Sequence, residues 1–269
     1  MSLPTFSLPQ LGWRAEYAQS LTLADFEAGY PARVLAVQCS GVTVLSSRGQ
    51  ASVALPYHLA ASDAGVAVGD WVWLEQDADR LLRVLDRQSL IEGVAAGGDR
   101  QRQAVAANLD VLFVVSSCND DFNPSRLERH LSLAFNAGVT PVVVLTKADI
   151  GDGVAEYVTE AEQLMPGVTV VAVNALDDAS VSQLSPWLAP GKTVAFVGSS
   201  GVGISTLTRR VVDEASQHTS GIREVDARGR HTIAALAMFP TASAAWVIDG
   251  PGVRELSLAA ANAELDAVF

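Results

Sequence analysis

Short apolar runs with strand spacing dominate the first third of the chain. Between residues 31 and 87 these runs are rich in valine, leucine and tryptophan, and glycine, serine or aspartate separates them: "ARVLAVQC", "GVTVLSS", "ASVALP", "DWVWLEQ" and "RLLRVLD". The pattern predicts short antiparallel strands that fit a small closed barrel. Strand count favours an OB-fold over an SH3-like barrel, and such barrels often bind oligonucleotides. A barrel that only packs against its neighbour would have the same pattern.

The pattern changes near Val105 to longer apolar runs that alternate with helical stretches. The runs that predict buried strands are "LDVLFVVSS", "TPVVVL", "GVTVVAVNA", "KTVAFVG" and "AAWVIDG". Alternating strands and helices are typical of a doubly wound parallel sheet, in which ligands bind at the carboxyl ends of the strands. The predicted fold class is therefore α/β, with an N-terminal OB-fold-like barrel followed by a doubly wound domain.

One helix can be placed in detail. Asn123 is a good N-cap residue and Pro124 suits the first helical position. Leu127, Leu131 and Phe135 recur every four residues, which predicts that they share the buried face of this helix.

Glycines mark the boundary between the two patterns. The stretch "IEGVAAGGDRQRQAVAAN" contains three glycines and predicts a flexible connection. The expected domains are residues 1–92 for the barrel with an N-terminal extension, 93–104 for the linker and 105–257 for the sheet domain.

A polar sequence follows the run "TPVVVL". Thr146, Lys147 and Asp149 match the [NT]KxD pattern with which GTPases read guanine. The carboxylate accepts hydrogen bonds from the ring N1–H and the exocyclic amine, while the lysine stem packs on the face of the base. By itself the match is weak, because an aspartate after a strand is often a helix N-cap.

The stretch "FVGSSGVGISTL" at residues 196–207 has the layout of a phosphate-binding loop, G-x-x-x-x-G-K-[ST]. Gly198, Gly203 and Ser205 occupy the expected positions, but Ile204 stands where the pattern has lysine. The stretch is therefore either a nucleotide site that lacks one charge or a turn rich in glycine and serine.

A third predicted strand also ends in polar residues. In "AAWVIDGPG", Asp249 and Gly252 match D-x-x-G. In GTPases this aspartate reaches Mg²⁺ through water and the glycine amide meets the γ-phosphate, although "DGPG" is also an ordinary tight turn. Three such elements at the ends of three strands of one predicted sheet favour a GTP site, and "TKAD" argues against an ATPase.

The order of the motifs is permuted. A conventional GTPase has the phosphate loop first, D-x-x-G second and [NT]KxD last, whereas this chain has [NT]KxD first. With this order after a barrel, the sequence resembles the RsgA (YjeQ, EngC) family of circularly permuted GTPases. The resemblance covers roughly residues 10–258 and rests on "VGDWVWLE", "AANLDVLFVVSS", "DFNPSRLERHL", "VVVLTKAD", "VAFVGSSGVGISTL", "RGRHT" and "VIDGPGVREL".

The resemblance implies that the barrel is an OB-fold that contacts 16S rRNA. It also implies that residues 105–257 bind GTP or GDP with Mg²⁺, and that the 30S ribosomal subunit stimulates slow hydrolysis late in its own maturation.

The resemblance also assigns residues. Thr146, Lys147 and Asp149 would recognise guanine. The remaining nucleotide-binding positions would be Asn174, Ala175, Leu176, Gly198, Ser199, Ser200, Gly201, Val202, Gly203, Ile204, Ser205, Thr206, Asp249 and Gly252. Ser205 and Thr232 would ligate Mg²⁺. His231 would orient the attacking water, because Val253 follows "DGPG" in place of a glutamine; the alternative for His231 is a solvent-exposed loop histidine.

This sequence differs from the family pattern at three places, and at each of them it lacks a group that the family has. Ile204 deletes a charge–phosphate hydrogen bond, which contributes about 1.5–3 kcal/mol, or an affinity factor on the order of 10 to 150. Of the two lysines, Lys147 is assigned to the base and Lys192 precedes its strand, at the end far from the phosphates. Ile233 follows "HT" where the family usually has threonine. No cysteine or histidine follows Gly252, so the ligands of the family's zinc domain are absent from this sequence, and residues 258–269 correspond only to the beginning of that segment.

Composition limits the partners. The chain has 30 acidic and 18 basic residues, a formal net charge of −12, so RNA contact is expected only at a small arginine-lined patch and no DNA partner is expected.

The sequence has neither a long apolar run nor a signal-peptide pattern, which predicts a cytoplasmic protein with no membrane partner. The protein is expected to be a monomer. Cys39 and Cys118 lie far apart in the sequence, which excludes a disulfide framework.

Two functional hypotheses follow. The first is a slow, ribosome-stimulated GTP hydrolase that Ile204 impairs without abolishing. The second is a pseudo-GTPase that retains nucleotide or ribosome binding as a scaffold, and the residue at position 204 discriminates between them.

Overall fold

A computed structural model of the protein describes residues 5–38, 41–60, 65–78, 80–94, 102–216, 236–254 and 256. The strands are β1 (Gly29–Gln38), β2 (Gly41–Ser46), β3 (Gly49–Ala54), β4 (Trp71–Glu75), β5 (Leu81–Val84), β6 (Leu90–Val94), β7 (Arg102–Ala107), β8 (Val111–Ser117), β9 (Thr140–Thr146), β10 (Thr169–Ala172), β11 (Thr193–Gly198), β12 (Ala237–Pro240) and β13 (Trp246–Asp249). The helices are α1 (Leu23–Ala28), α2 (Tyr57–Ala60), α3 (Pro124–Asn136), α4 (Val154–Leu164), α5 (Asp178–Val181), α6 (Ile204–Ser216) and α7 (Pro251–Arg254), with 3₁₀ turns at Ala15–Ala18 and Ser182–Trp187.

The first five strands form an antiparallel sheet, as the alternating pattern predicted. They lie in the order β3-β2-β1-β4-β5, so the long strand β1 pairs with both β2 and β4. Inward side chains make one apolar cluster that includes Val34, Val44, Val72 and Leu74. This order, with the first strand flanked by the second and the fourth, is consistent with the OB-fold.

The second half of the chain forms the predicted parallel sheet. Its strands lie in the order β10-β9-β8-β11-β13, so the chain reverses direction across the sheet between β8 and β11. Alternate residues of β8 enter two clusters: Leu112 and Val114 share one with α3, whereas Phe113 and Val115 share the other with α6. Helices therefore cover both faces, as a doubly wound sheet requires.

Two strand pairings were not expected from the sequence. Strand β12 pairs antiparallel with β13 and touches β1 through the single pair Ala36–Ala237, which connects the two halves into one sheet. Strands β6 and β7 pair as an antiparallel hairpin, so the stretch 93–104, expected as a flexible linker, begins and ends within paired strands.

Helix α3 confirms its predicted N-terminus but corrects its predicted face. The side chain of Asn123 accepts a hydrogen bond from the Arg126 backbone N–H, as an N-cap does. Leu127 and Leu131 are buried, but Phe135 is 72% exposed. Steps of four residues advance by about 40° beyond each full turn, so the third member rotates out and Ala134 takes its place on the buried face.

Arg33 joins the barrel to the parallel sheet. Its guanidinium is fully buried and donates to the carbonyls of Leu11 at 2.6 Å, Gly69 at 3.3 Å and Asn108 at 3.3 Å. It also lies over the ring of Trp71 at 5.5 Å. Burial lowers the pKa of Arg33 to about 10, so the side chain stays charged at neutral pH. One cation thus ties the N-terminal segment, the barrel and the start of the second domain together.

A second ion cluster lies at the amino ends of β8 and β11. Asp110 accepts hydrogen bonds from Arg14, from Lys192 Nζ at 3.0 Å and from the Thr193 backbone N–H at 2.9 Å. Burial opposes ionisation of Asp110, but these donors lower the pKa of its carboxyl below the usual value. Lys192 therefore lies at the edge opposite the carboxyl ends of the strands, as the sequence predicted.

In the part of the chain that the structure describes, no helix combines the length and the apolar character needed to cross a membrane.

His130 is a buried titratable group on α3, and it bonds to the backbone of Leu256. Burial, and then the nearby charges of Arg126 and Arg129, lower the pKa of His130 from 6.5 to about 4. In the unfolded chain the pKa returns to its ordinary value, so the unfolded state binds more protons between these two values. The stability of the fold should therefore fall as the pH is lowered through this window.

Replacing His130 by glutamine should flatten this pH dependence. Urea unfolding of the parent and of His130→Gln, compared at about pH 7 and about pH 5, should show a larger loss of unfolding free energy in the parent. Equal losses in the two proteins would contradict the assignment.

Candidate functional site

The carboxyl ends of the parallel strands lie along one edge of the sheet. Parallel pairing sets Thr146 beside Ser117 and Gly198 beside Val115, and Asp249 ends the next strand. The structure therefore brings the "TKAD", "GSSGVG" and "DGPG" segments together at the point where the strand order reverses. This is the position at which open α/β sheets bind ligands.

The loop between β11 and α6 has the conformation of an anion-binding loop. Gly201 and Gly203 have φ values of +84° and +101°, which side chains with a Cβ rarely adopt. Within the described residues, the backbone N–H groups of residues 200–203 donate to no acceptor. Because they precede the N-terminus of the 13-residue helix α6, they form a site suited to phosphate.

Thr146 connects the first motif to this loop. Its fully buried hydroxyl lies 2.5 Å from the carbonyl oxygen of Val202 and 3.1 Å from that of Ser116. The single hydroxyl proton is shared between two acceptors, of which the loop carbonyl is the nearer. The hydroxyl thus fixes the distance between the end of β9 and the phosphate loop.

The residues predicted to read the base lie beside this connection. The backbone of Lys147 has a left-handed conformation, with φ of 59°. Its carbonyl accepts hydrogen bonds from the backbone N–H groups of Ile150 and Gly151. This turn leaves Asp149 exposed at the edge of the sheet. A Cβ on Gly151 would come within 2.7 Å of Cys118 Cβ, so glycine is needed where the turn packs on the end of β8.

The "NAL" loop follows the strand β10 and lies along α6. The Asn174 side chain accepts from the Leu176 backbone N–H at 2.8 Å and so shapes the loop itself. Ala175 is buried and Leu176 is 68% exposed. Arg210 of α6 donates to the carbonyl of Leu176 at 2.6 Å, which ties this loop to the helix that follows the phosphate loop.

Ile204 begins α6 and lies in the core. It is 6% exposed and belongs to the apolar cluster that contains Val115, Phe196 and Leu207. The next residue, Ser205, is exposed, and the Thr206 N–H donates to the Gly203 carbonyl. The position of the missing lysine is thus filled by apolar packing.

Arg254 was not singled out by the sequence, although it stands in the quoted "VIDGPGVREL". Its Nε donates to Asp249 Oδ1 and its Nη2 to Asp249 Oδ2, both at 2.6 Å, and its Nη1 donates to Ser205 Oγ at 2.8 Å. A basic residue five positions after the D-x-x-G aspartate was the available sequence clue.

These bonds bear on the predicted magnesium ligands. Ser205, predicted as a direct ligand, and Asp249, predicted to reach the ion through water, both carry oxygen atoms of the type that Mg²⁺ prefers. Each of the three oxygens, however, already accepts a hydrogen bond from the guanidinium of Arg254. Each of these oxygens keeps a further lone pair, so the donor set of Ser205 and Asp249 remains compatible with a magnesium ion.

Asp121 is a second residue that the sequence did not indicate. It lies in the loop after β8, accepts a 2.8 Å hydrogen bond from Ser199 Oγ and pairs with Arg126. Asp121 therefore anchors the first serine of the phosphate loop to the segment that leads into α3.

Three predicted positions lie outside the described residues: His231, Thr232 and Ile233. Cys39 and residues 258–269 lie outside them as well. Gly252 is exposed in α7. The described part of the chain holds no group of three or more histidine, cysteine or acidic side chains arranged to bind a metal ion.

Replacing Thr146 by valine should loosen the phosphate loop. Valine keeps the shape but leaves the Val202 carbonyl without its hydroxyl donor, which costs about 1–3 kcal/mol. Amide hydrogen exchange of residues 199–203 should be faster in Thr146→Val than in the parent, whereas Thr146→Ser, which retains the hydroxyl, should exchange like the parent. Unchanged exchange in the valine variant would contradict the role of this hydroxyl.

Comparison with known proteins identifies the family. Residues 84–259 match the sequence profile of the family described as RsgA GTPase. The chain is 46% identical over 256 residues to the small ribosomal subunit biogenesis GTPase RsgA 2 of Vibrio vulnificus strain CMCP6, an alignment that covers 94% of this chain and 71% of the relative. It is 40% identical over 266 residues to the RsgA of Mesorhizobium japonicum, covering 98% of this chain and 76% of that one.

Solved structures resemble the fold. The crystal structure of YjeQ from Thermotoga maritima superimposes with a TM-score of 0.64 at 20% identity, covering 86% of this chain and 77% of that one. YloQ, described as a circularly permuted GTPase, gives a TM-score of 0.60 at 19% identity, covering 86% and 74%. The sequence relatives, the profile and the permuted motifs on this sheet edge lead to one conclusion: the chain belongs to the RsgA GTPase family.

Proposed function

We propose that this protein binds guanine nucleotides at the carboxyl edge of its parallel sheet and hydrolyses GTP slowly. The observation that carries the proposal is the hydrogen bond between Thr146 and the Val202 carbonyl. It joins the base-reading motif to the phosphate loop, so one nucleotide would reach both.

Each part of the site has a defined chemical task in this proposal. The Asp149 carboxylate accepts from the N1–H and the amine of guanine, while the stem of Lys147 covers the base. The N–H groups of residues 200–203, which have no acceptor within the described residues, hold the phosphates together with the N-terminus of α6. Catalysis would depend on positioning and electrostatics, with His231 as the residue that orients water. Ser205 would ligate a magnesium ion directly and Asp249 would reach it through water, and the ion would offset the negative charge of the phosphates.

The proposed partner is the small ribosomal subunit. The relatives from Vibrio vulnificus and Mesorhizobium japonicum are named as small ribosomal subunit biogenesis GTPases. We infer that this chain acts in the same process, with the barrel in contact with 16S rRNA, and that it works in the cytoplasm. Because the net charge is −12, the RNA contact would be local.

A second candidate function is favoured by one observation. Ile204 is packed in the core where other phosphate loops present a lysine. A chain without that charge would bind nucleotide weakly and stabilise the transition state poorly. In this alternative the protein is a nucleotide-binding or ribosome-binding scaffold that does not turn over GTP.

Guanine recognition can be tested at Asp149. In Asp149→Asn the amide presents a donor where the carboxylate accepts, so labelled GDP should bind about 10- to 150-fold more weakly. Xanthosine diphosphate, which has a carbonyl in place of the amine, should bind better than it does to the parent. Asp152→Asn makes the same charge change on an exposed neighbour and should leave both affinities unchanged. A parallel loss in both variants would contradict base recognition by Asp149.

The role of position 204 can be tested by restoring the lysine. Ile204→Lys should raise the affinity for labelled GDP and GTP by about 10- to 150-fold, because it adds a charge-assisted hydrogen bond to phosphate. Ile204→Met has a similar stem without the charge and should bind like the parent.

Phosphate release measured with and without 30S subunits separates the two candidate functions. A parent that releases phosphate faster with 30S is a GTPase, whereas a parent that binds nucleotide without release is a scaffold. If the parent binds no guanine nucleotide at about millimolar concentration and Ile204→Lys also shows no binding, the proposed nucleotide site is wrong.

A further inference from the structure

Arg210 connects the helix that follows the phosphate loop to the "NAL" loop, residues 174–176. It lies in α6, and its Nη2 donates to the Leu176 carbonyl at 2.6 Å. Its Nη1 pairs with the carboxylate of Asp178, the first residue of α5. Because a guanidinium is planar and rigid, two acceptors that it binds at once are held at a fixed spacing. The loop is therefore held against α6 from its carbonyl side.

The other hydrogen bonds of the loop do not reach α6. The Asn174 side chain accepts from the Leu176 backbone N–H at 2.8 Å. The Asn174 backbone N–H donates to Ser180 Oγ at 2.9 Å, which attaches the loop to α5, the helix that directly follows it. Among the hydrogen bonds of the described residues, those of Arg210 are thus the ones that link this loop to the helix of the phosphate loop.

The loop begins beside the turn that is proposed to read the base. The Val173 N–H donates to the Leu145 carbonyl at 2.8 Å, and the Val173 carbonyl accepts from the Ala148 N–H at 3.3 Å. The residue before the loop is therefore paired with the "TKAD" turn. A base bound at Asp149 would lie within reach of residues 174–176.

One backbone donor of the loop is unused. The N–H groups of Asn174 and Leu176 have the acceptors just named, whereas the N–H of Ala175 donates to no acceptor within the described residues. Ala175 is only 8% exposed, and buried N–H groups are nearly always paired, so this one suits a ligand atom. If Asp149 accepts from the N1–H and the amine of guanine, the adjacent O6 is an acceptor that still needs a donor.

We propose that Arg210 is a positioning residue for guanine recognition: it fixes residues 174–176 against α6 so that the Ala175 N–H reaches the O6 atom of the base. The proposal rests on the proposed binding of guanine nucleotide, and it names the residue that sets the geometry of base selection. Arg210 acts through the loop and does not touch the nucleotide. The Asp178 side chain is 75% exposed, so the ion pair adds little and the bond to the Leu176 carbonyl carries the effect.

The experiment compares GDP with 6-thio-GDP, in which sulfur, a weaker hydrogen-bond acceptor, replaces O6 while the N1–H and the amine remain. Competition against fluorescently labelled GDP on the full chain gives both affinities. The parent should prefer GDP by about 2- to 12-fold, the contribution of one hydrogen bond. Arg210→Ala should lose this preference, because GDP then binds more weakly by about that factor while 6-thio-GDP binds nearly as it does to the parent.

Three further variants support this test. Arg210→Met keeps a similar stem without donors; it should behave like the alanine variant, and it carries the test if the alanine variant does not fold by circular dichroism. Arg210→Lys keeps a cationic donor for the Leu176 carbonyl and should retain part of the preference for GDP. Arg209→Ala removes the same charge from the exposed neighbouring position of α6 and should bind both nucleotides like the parent.

The outcomes separate this proposal from the proposed function. An equal loss of affinity for both nucleotides in Arg210→Ala would overturn the proposal, because it would show a general weakening of the site. The proposal is overturned as well if the alanine and methionine variants keep the preference of the parent, or if the parent does not distinguish the two nucleotides. Each of these results leaves guanine-nucleotide binding intact. A folded parent that binds neither nucleotide at about millimolar concentration overturns both proposals.

Discussion

Parallel hydrogen bonding between β9, β8, β11 and β13 is the constraint on which the site depends. Each strand contributes one loop, and the loops are far apart in sequence, from Thr146 to Asp249. The parallel register places their carboxyl ends at one edge, and the reversal of strand order between β8 and β11 opens that edge to a ligand. A permuted chain can therefore build the same edge, because the order of the motifs along the chain does not change the order of the strands in space.

Side-chain contacts then fix the loops relative to one another. Thr146 sets the distance from the base-reading turn to the phosphate loop, Arg210 ties the "NAL" loop to α6, and Arg254 joins α6 to the end of β13. At the other end of the sheet, Arg33 and Asp110 attach the barrel and the N-terminal segment. The loops that carry the candidate chemistry thus rest on a sheet that is anchored at its opposite edge.

The architecture was predictable because it depends on repeated local patterns. Short apolar runs separated by polar residues predicted the five barrel strands, and longer apolar runs predicted the parallel strands. The N-cap residue Asn123 predicted the start of a helix. Features that depend on tertiary contacts were not predictable: the hairpin of β6 and β7, the pairing of β12 and the exposure of Phe135. The site followed the same division, since the motifs marked Thr146 and Ser205, whereas Arg254 and Asp121 became visible only through the hydrogen bonds they make across the fold.

The central claim is that one guanine nucleotide spans this edge, with its base at the "TKAD" turn and its phosphates at the loop before α6. A crystal structure of the full chain with GDP tests it most directly. The account predicts guanine within hydrogen-bond distance of Asp149 and a diphosphate bound by the N–H groups of residues 200–203. A nucleotide bound elsewhere on the protein, or loops that separate when GDP is present, would contradict it.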